Sequence, residues 1–417
     1  MSRLHAILTP VGTSGDVHPF LGIGQELRRR GHDVTLVSAG VFAGAAARAG
    51  LDFVAHPTAE EYERALADPD LWHPTRGLRL VLRHTAASTR GLLERLEALH
   101  VPGRTVVVGH TMAWGARLFE EVHGAPALTI HLAPSALRSV HAQPAYSPGR
   151  DMAWAPRALR RVLWWLIDRT QLDPHAAPEL DRLRAERGLP PVTRIFRAWI
   201  SSPQRVVGLF PDWFGPPQPD WPRPLSLVGF PLFDDEGAPP SPALDAFLEA
   251  GAPPIAITPG TGNRHARAFI AAGLDAATRL GRRALVLTRY AEHLPPLPDH
   301  AHHEPWAPLA RVLPRCAALV HHGGVGTCAQ ALAAGVPQVA LPFAFDQPDN
   351  ITRVARLGAG AWSDLAGGGR RLGERLGPLL SSPAVSAACA GLRARIDGRA
   401  AIAAACDAVE AAGRGAS

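Results

Sequence analysis

The sequence predicts an α/β protein built from two doubly wound parallel sheets. Three observations carry that expectation. From Leu4 to Leu132, short apolar runs alternate with helix-like stretches that close on glycine. The same alternation restarts after a proline-dense stretch ending near Pro254. Late in the chain, the loop His321-His322-Gly323-Gly324-Val325-Gly326-Thr327 follows an apolar run and precedes Asp346-Gln347-Pro348-Asp349-Asn350. Alternating strand and helix builds a parallel sheet whose faces are covered by the helices, so its strands are apolar throughout.

The elements follow in order. Leu4 to Thr9 reads as a strand, and Pro19 to Arg30 as a helix that proline opens and Gly31 closes. His32 to Ser38 is a strand, Val41 to Ala49 a helix closed by Gly50, and Leu51 to Ala55 a third strand. Thr105 to Gly109, a helix Ala113 to His123 closed by Gly124, and Leu128 to Leu132 continue the pattern. Residues 135–200 interrupt it with mainly helical sequence. Pro211 to Pro240 is dense in proline and aromatics, and proline excludes a regular helix or central strand there. The rhythm resumes with Ile255 to Thr258, a helix His265 to Leu280 and Ala284 to Thr288. Ala317 to Val320 is the strand before the glycine loop. Thr327 is placed to cap a helix Cys328 to Ala334, which Gly335-Val336-Pro337 ends. Gln338 to Leu341 is the next strand. Gly367 to Arg371 reads as a loop, and a last helix is expected at about 400–412. The domain reading is 1–215, with the helical insert at 135–200, a linker at 216–240, a second domain at 241–399, and 400–417 crossing back to the first.

Composition narrows the function. The chain has 417 residues and 47% hydrophobic residues, enough for two cores. Its formal net charge is +6, and all 43 basic residues are arginine. Arginines are scattered among acids without a basic tail or an aromatic-basic stripe, which argues against nucleic acid and favours smaller anionic ligands. The four cysteines lack metal or redox spacing and fit a reducing cytoplasm. No signal peptide and no apolar run long enough to span a bilayer is read from the sequence.

The glycine loop carries the donor chemistry. Glycines let backbone approach a ligand closely, and a helix start without bulky side chains offers unpaired N–H groups and a partial positive charge. Ligands in open α/β sheets sit at the carboxyl edge of the strands. A diphosphate is therefore expected at His322, Gly323, Gly324, Gly326 and Thr327, with a sugar facing Asp346 and Gln347. Gly260-Thr261-Gly262, another glycine turn, is expected to touch the same phosphates. His322 is the side chain placed to stabilise the departing diphosphate.

The loop together with Asp-Gln-x-x-Asn resembles the donor site of the GT-B glycosyltransferases of the UDP-glycosyltransferase superfamily. Their fold implies two Rossmann-like domains facing a cleft. Trp306-Ala307-Pro308-Leu309 looks like the family's Trp-x-Pro segment, whose ring stacks on the nucleotide base. Gly12-Thr13-Ser14-Gly15-Asp16-Val17-His18-Pro19-Phe20 resembles the bacterial branch, in which this aspartate is the proposed general base. A carboxylate within ~3 Å of the acceptor hydroxyl can take its proton. Asp16 also suits N-capping of the helix that Pro19 opens. His18 is the rival base, and His110 and His131 are candidates on the acceptor side.

Metal chemistry is not expected. Asp68-Pro69-Asp70 lies in the half without the donor motif, and neither His302-His303 nor His321-His322 has helical i,i+4 spacing with a third ligand. No cofactor is expected beyond the sugar-nucleotide substrate.

Several further stretches are similar to one subgroup, the rhamnosyltransferases of rhamnolipid biosynthesis. They are Asp68 to Trp72, Arg194 to Trp199, Ser202-Pro203-Gln204 and Gly229 to Asp234. This resemblance implies inverting transfer of L-rhamnose from dTDP-L-rhamnose to a 3-(3-hydroxyalkanoyloxy)alkanoate, an anionic lipid hydroxy acid, giving a mono-rhamnolipid. Peripheral contact with the cytoplasmic face of the inner membrane and a partner enzyme supplying the acceptor are expectations that go with such an acceptor. The insert Trp154 to Trp165, with Arg157, Arg160 and Arg161 beside Trp164 and Trp165, fits a membrane interface, an apolar acceptor tunnel, or a helix packed on its own domain. The alternative keeps the fold and uses a hexose donor on a macrolide, sterol or other hydrophobic aglycone. Outsiders are a non-catalytic helper of the same fold and a sugar-nucleotide epimerase.

Overall fold

The computed structural model describes residues 3–233, 241–263 and 266–414. The chain divides into two compact units. The first comprises Met1–Pro144, Asp151–Phe233 and Asp397–Ser417; the second comprises Ala145–Arg150 and Asp234–Ile396.

The first unit is built on a seven-stranded sheet. Its strands are β1 (His5–Thr9), β2 (Asp33–Ser38), β3 (Asp52–Ala55), β4 (Thr105–His110), β5 (Ala127–His131), β6 (Val206–Gly208) and β7 (Leu225–Leu227). They lie in the order β3-β2-β1-β4-β5-β6-β7, all parallel. The helices are α1 (Ser14–Arg29), α2 (Ala43–Arg48), α3 (Ala59–Leu66), α4 (Arg76–Leu99), α5 (Trp114–His123), α6 (Arg157–Ile167) and α7 (Asp173–Glu186). Ala6 to Leu8 and Val106 to Val108 are wholly buried, as central parallel strands covered on both faces must be. The strand order reverses between β1 and β4. The loops after those two strands therefore diverge and open a crevice at the carboxyl edge.

Four elements of this unit differ from expectation. Helix α1 begins at Ser14, not at Pro19, because Thr13 and Asp16 form a capping box one turn upstream. Pro19 then sits inside the helix, where its missing N–H removes the ladder bond to the Gly15 carbonyl. Helices α3 and α4 were not expected. The buried face of α4 mixes Leu82, Ala86, Leu93 and Leu96 with Thr85 and Thr89, which dilutes its apolar period. The Thr89 hydroxyl is satisfied by the Thr85 carbonyl at 2.8 Å, so it can be buried. Finally, the proline-rich stretch read as linker contributes β7, an edge strand bonded only to β6, the position where nearby prolines do least harm.

The second unit has a six-stranded parallel sheet ordered β10-β9-β8-β11-β12-β13. The strands are β8 (Ile255–Thr258), β9 (Ala284–Leu287), β10 (Ala301–Glu304), β11 (Ala318–His321), β12 (Gln338–Ala340) and β13 (Gly360–Trp362). The helices are α8 (Pro242–Glu249), α9 (Arg267–Arg279), α10 (Leu309–Val312), α11 (Val325–Ala334), α12 (Gln347–Arg356), α13 (Gly368–Ser381) and α14 (Pro383–Arg393). The order reverses between β8 and β11, so the loops after these strands flank this unit's crevice. Helix α11 begins at Val325 with Gly324 in the N-cap position, so Thr327 lies in the first turn and is not its cap. His265, the expected start of α9, lies outside the described residues. Gly368 to Arg371 open α13 and do not form a loop. Gly369 is there for close packing: a Cβ would fall 2.3 Å from Asp275 Oδ2 on α9.

The C-terminal helix, α15 (Gly398–Arg414), packs on α1 in the first unit. Arg30 holds it through Asp407 at 2.6 Å and Glu410 at 3.2 Å, and His32 Nε2 lies 3.2 Å from Glu410. Among the described residues no helix is long and apolar enough to cross a membrane, and the four cysteines are buried and unbridged.

Candidate active site

In the second unit, β8 and β11 run side by side, with Thr258 opposite His321 at their ends. The chain leaves β8 through Gly260 at φ +88° and leaves β11 through His322 and Gly323, the latter at φ +96°. The His322 imidazole occupies the space between the two loops. A Cβ on Gly260 would lie 2.7 Å from His322 Cε1, and one on Gly324 would lie 2.5 Å from Nε2. Both glycines are thus required by the ring. Burial lowers the His322 pKa to about 4, so the ring is neutral at physiological pH. Its Nδ1 is buried without a hydrogen-bond partner among the described residues.

Next to this ring starts α11, whose first N–H groups have no acceptor within the helix. Gly326 and Thr327 lie in that first turn. Gly323 is different from its neighbours. Its N–H donates to His321 Nδ1 at 3.1 Å, and its carbonyl accepts from Asn350 Nδ2 at 3.1 Å. Gly323 therefore turns the chain but offers no N–H to a phosphate, a correction to its expected role. His321 is wholly buried and structural. Since Nδ1 accepts, Nε2 donates to Gln338 Oε1 at 2.9 Å, and Gln338 Nε2 in turn donates to the Cys328 carbonyl at 3.3 Å. Thr261 follows Gly260 on an exposed turn.

The second cluster sits after β12, adjacent to β11 in the sheet. Asp346 is the N-cap residue of α12. Its Oδ2 accepts from Asn350 Nδ2 at 2.7 Å. Burial raises its pKa to about 6, against the pull of the Asn350 hydrogen bond. Gln347, expected to face a sugar, is 3% exposed, and its Oε1 accepts from the N–H groups of Phe343 and Ala344 at 2.7 and 3.2 Å. That oxygen is committed to its own loop. Asp349 also faces inward. It accepts from the Ala145 N–H at 2.9 Å and from Arg353 Nε at 2.7 Å, fastening the segment Ala145–Arg150 to α12. Trp306, half-buried, and Ala307, buried, follow β10 at the same carboxyl edge of the sheet.

In the first unit, Asp16 lies in the first turn of α1, at the crevice between the β1 and β4 loops. Its Oδ2 accepts from the Thr13 N–H at 2.7 Å and the Thr13 hydroxyl at 3.3 Å. Gly12, at φ +136°, makes room: a Cβ there would fall 2.2 Å from that Oδ2. The carboxylate is thus a partly exposed capping group held at the sheet edge. His18, two residues on, is partly exposed with its ring edge-on to Phe233. His110 ends β4, is buried against Phe20, and has its pKa lowered to about 4 by burial. His131 is wholly buried with both ring nitrogens engaged, by Thr111 at 2.8 Å and Ser201 at 3.0 Å. It is a structural histidine.

The two tryptophans of the insert diverge. Trp164 faces inward, 5% exposed, under the Arg138 guanidinium at 4.2 Å. Trp165 faces solvent at 47%. His302 and His303, in β10, are engaged by Glu304 at 3.4 Å and by the Thr288 carbonyl at 2.8 Å. Among the described residues no group of three or more His, Cys, Asp or Glu is arranged to hold a metal ion.

Sequence comparison identifies the family of the chain. Residues 6–114 match the glycosyltransferase family 28 N-terminal domain, and residues 273–399 match the C-terminal domain of erythromycin biosynthesis protein CIII-like proteins. The chain is 33% identical over 381 residues to O-mycaminosyltylonolide 6-deoxyallosyltransferase of Streptomyces fradiae, covering 85% of this chain and 84% of that one. The fold is similar to that of the glycotransferase of kitacinnamycin, with a TM-score of 0.75 at 22% identity, covering 99% and 100% of the two chains. It is also similar to that of the glycosyltransferase VinC, solved in complex with dTDP, with a TM-score of 0.67 at 18% identity over 99% and 100%. Two parallel-sheet Rossmann-like units, a family 28 N-terminal region and a CIII-like C-terminal region mark this chain as an enzyme that belongs to the GT-B glycosyltransferases.

Proposed function

We propose that the chain transfers a hexose or deoxyhexose from a nucleoside diphosphate sugar to a hydroxyl of a large hydrophobic aglycone of the macrolide kind. The observation that carries the donor half is the His322 ring seated between Gly260 and Gly324 beside the open start of α11. Neutral imidazole and unpaired backbone N–H groups suit a diphosphate whose charge grows as it leaves. The acceptor half is supported by the match over 85% of this chain to a transferase whose substrate, by its name, is a glycosylated tylonolide. The dTDP bound to VinC supports a thymidine nucleotide as donor.

In this reading the acceptor oxygen bonds to the anomeric carbon as the bond from that carbon to the diphosphate oxygen breaks. The electron pair leaves on the diphosphate, which His322 and the first turn of α11 stabilise. The acceptor proton passes to Asp16, and the anomeric centre inverts. Asp346 accepts a hydrogen bond from a sugar hydroxyl, and Trp306 stacks on the base. No metal ion takes part. Gln347 contributes by shaping the loop that carries Asp346, since its Oε1 is bonded to Phe343 and Ala344.

The Streptomyces fradiae relative supports a macrolide acceptor over the lipid hydroxy acid read in the sequence, and rhamnolipid synthesis is the competing reading. The deciding experiment incubates purified protein with dTDP-L-rhamnose, other dTDP-deoxyhexoses and UDP-glucose, each with a macrolide aglycone and with a 3-(3-hydroxyalkanoyloxy)alkanoate. Sugar mass added to the macrolide supports the proposal. Sugar added only to the lipid overturns its acceptor half, and no transfer to any hydroxyl overturns it altogether. Activity that disappears with EDTA and returns with a divalent metal would remove the metal-independent step.

A further inference from the structure

We infer that helix α6 and the turn before it form a docking surface for an anionic lipid bilayer. This stands apart from the choice of acceptor. The inward side of α6 is committed to the fold. Arg160 donates to the carbonyls of Val140 and His141 at 3.1 and 3.0 Å and to that of Ala153 at 2.5 Å, while Trp164 lies under Arg138. The outward side is apolar where solvent would favour polar groups. Val162 is 53% exposed, Trp165 47%, Leu166 41% and Leu159 40%, and Trp154 in the preceding turn is 77% exposed.

These side chains form one stripe. Leu159, Val162 and Leu166 follow the i, i+3, i+7 spacing of a single helix face, and Trp165 lies beside them. Arg157 and Arg161, both exposed and one turn apart, border the stripe, and Arg169 follows it with its guanidinium 5.8 Å from the Trp165 ring. The one acid of α6 and the turn after it, Asp168, is buried and bonded to Arg138. The outward face is thus apolar and cationic, with no exposed carboxylate from Arg157 to Arg169.

Charge decides which occupant fits. A second copy docking through the same patch would set arginines against arginines with no exposed acid on α6 to neutralise them. A bilayer rich in anionic headgroups answers both features. The apolar stripe enters the boundary between headgroups and acyl chains, and the bordering arginines stay at the phosphates. Tryptophan is favoured at that depth because its ring is apolar while its N–H still reaches polar partners. The chain's formal net charge of +6 acts in the same direction.

The test is co-sedimentation of the full chain with vesicles of phosphatidylcholine alone and of phosphatidylcholine with phosphatidylglycerol. Binding to the anionic vesicles should exceed binding to the neutral ones by about tenfold or more and should fall in high salt. Arg157→Glu with Arg161→Glu should lower it by at least about tenfold, and Trp154→Ser should weaken it further. The paired Arg157→Lys, Arg161→Lys variant should keep it, and circular dichroism should show each variant folded. Equal binding to both vesicle types overturns the inference, as does binding that the charge reversals leave intact. A patch silent toward vesicles but mediating concentration-dependent self-association, or capture of an acidic protein, overturns it in favour of a protein partner.

Discussion

Asn350 donates to Asp346 across 2.7 Å, from one turn along α12 to its N-cap. The same Nδ2 donates to the Gly323 carbonyl at 3.1 Å. Both partners are acceptors, so the amide can present only its NH2 group to them. Its Oδ1 is left buried without a partner among the described residues, a cost the molecule accepts. One wholly buried side chain thereby fixes the loop around His322 and the carboxylate assigned to the sugar.

Asn350→Ala should therefore loosen both at once. Losing a buried hydrogen bond to a charged group costs roughly 2–3 kcal/mol of stability. dTDP affinity should fall by about tenfold, because the loop before α11 is no longer held. Denaturant unfolding and titration calorimetry check the two effects together. A variant with lowered stability and unchanged nucleotide affinity would confine Asn350 to the fold.

The central sheet of each unit was legible in the sequence because buried parallel strands are continuous apolar runs ended by glycine turns. Ile255 to Thr258 has the expected bounds, and Ala318 to His321 is shifted by one residue. The strands that escaped notice at the sheet edges are short and carry a weaker apolar signal: Ala301–Glu304, Leu225–Leu227 and Gly360–Trp362. At the site, residue types were readable but commitments were not. Nothing in Asp-Gln-x-x-Asn says that Gln347 Oε1 is spent on Phe343 and Ala344, or that Asp349 holds Ala145. The spacing of Asp346 and Asn350 at i,i+4 was the available signal for their contact, once a helix was expected to start there.

Asp346 gives a pH-dependent prediction. Burial raises its pKa to about 6 in the folded chain, above the ordinary aspartate value of about 4, so its ionised form is the strained one. The cost to stability is absent below pH ~4, grows between pH ~4 and ~6, and is complete above, on the order of 2–3 kcal/mol. Asp346→Asn should stabilise the protein at pH 8 and lose that advantage toward pH 4, while transfer falls at every pH. Thermal melts across that range check it. A stabilisation that did not vary with pH would show that the charge of Asp346 is not its source.

Gly260 tests the histidine cradle. Gly260→Ala adds backbone strain at φ +88° and places a methyl 2.7 Å from His322 Cε1. The ring cannot retreat, because Gly324 closes its other side. dTDP affinity should drop by tenfold or more. Gly281→Ala is the matched control: its φ is +59°, yet nothing lies within 4 Å of the added Cβ. Backbone strain should cost both variants about 1–2 kcal/mol of stability, Gly260→Ala losing more through its clash, and only Gly260→Ala should lose nucleotide binding. Equal affinities in the two would detach His322 from the diphosphate.

Asp16 serves a cap and, in the proposed reaction, a base, and the two roles can be separated. Asn at this position keeps an oxygen to accept from the Thr13 N–H, so Asp16→Asn should leave stability within about 1 kcal/mol. It cannot take a proton, so turnover should fall by at least about a hundredfold. Gly12→Ala should act on the same carboxylate by another route, since its Cβ would fall 2.2 Å from Oδ2 at a backbone angle of φ +136°. Both changes lie in the first unit, far in sequence from the loop around His322, and dTDP affinity should stay near the parent value in each. Steady-state turnover paired with nucleotide titration reads the outcome. If Asp16→Asn is stable and fully active, the carboxylate is a cap alone, and the proton must go to another group, with His18 the next to replace.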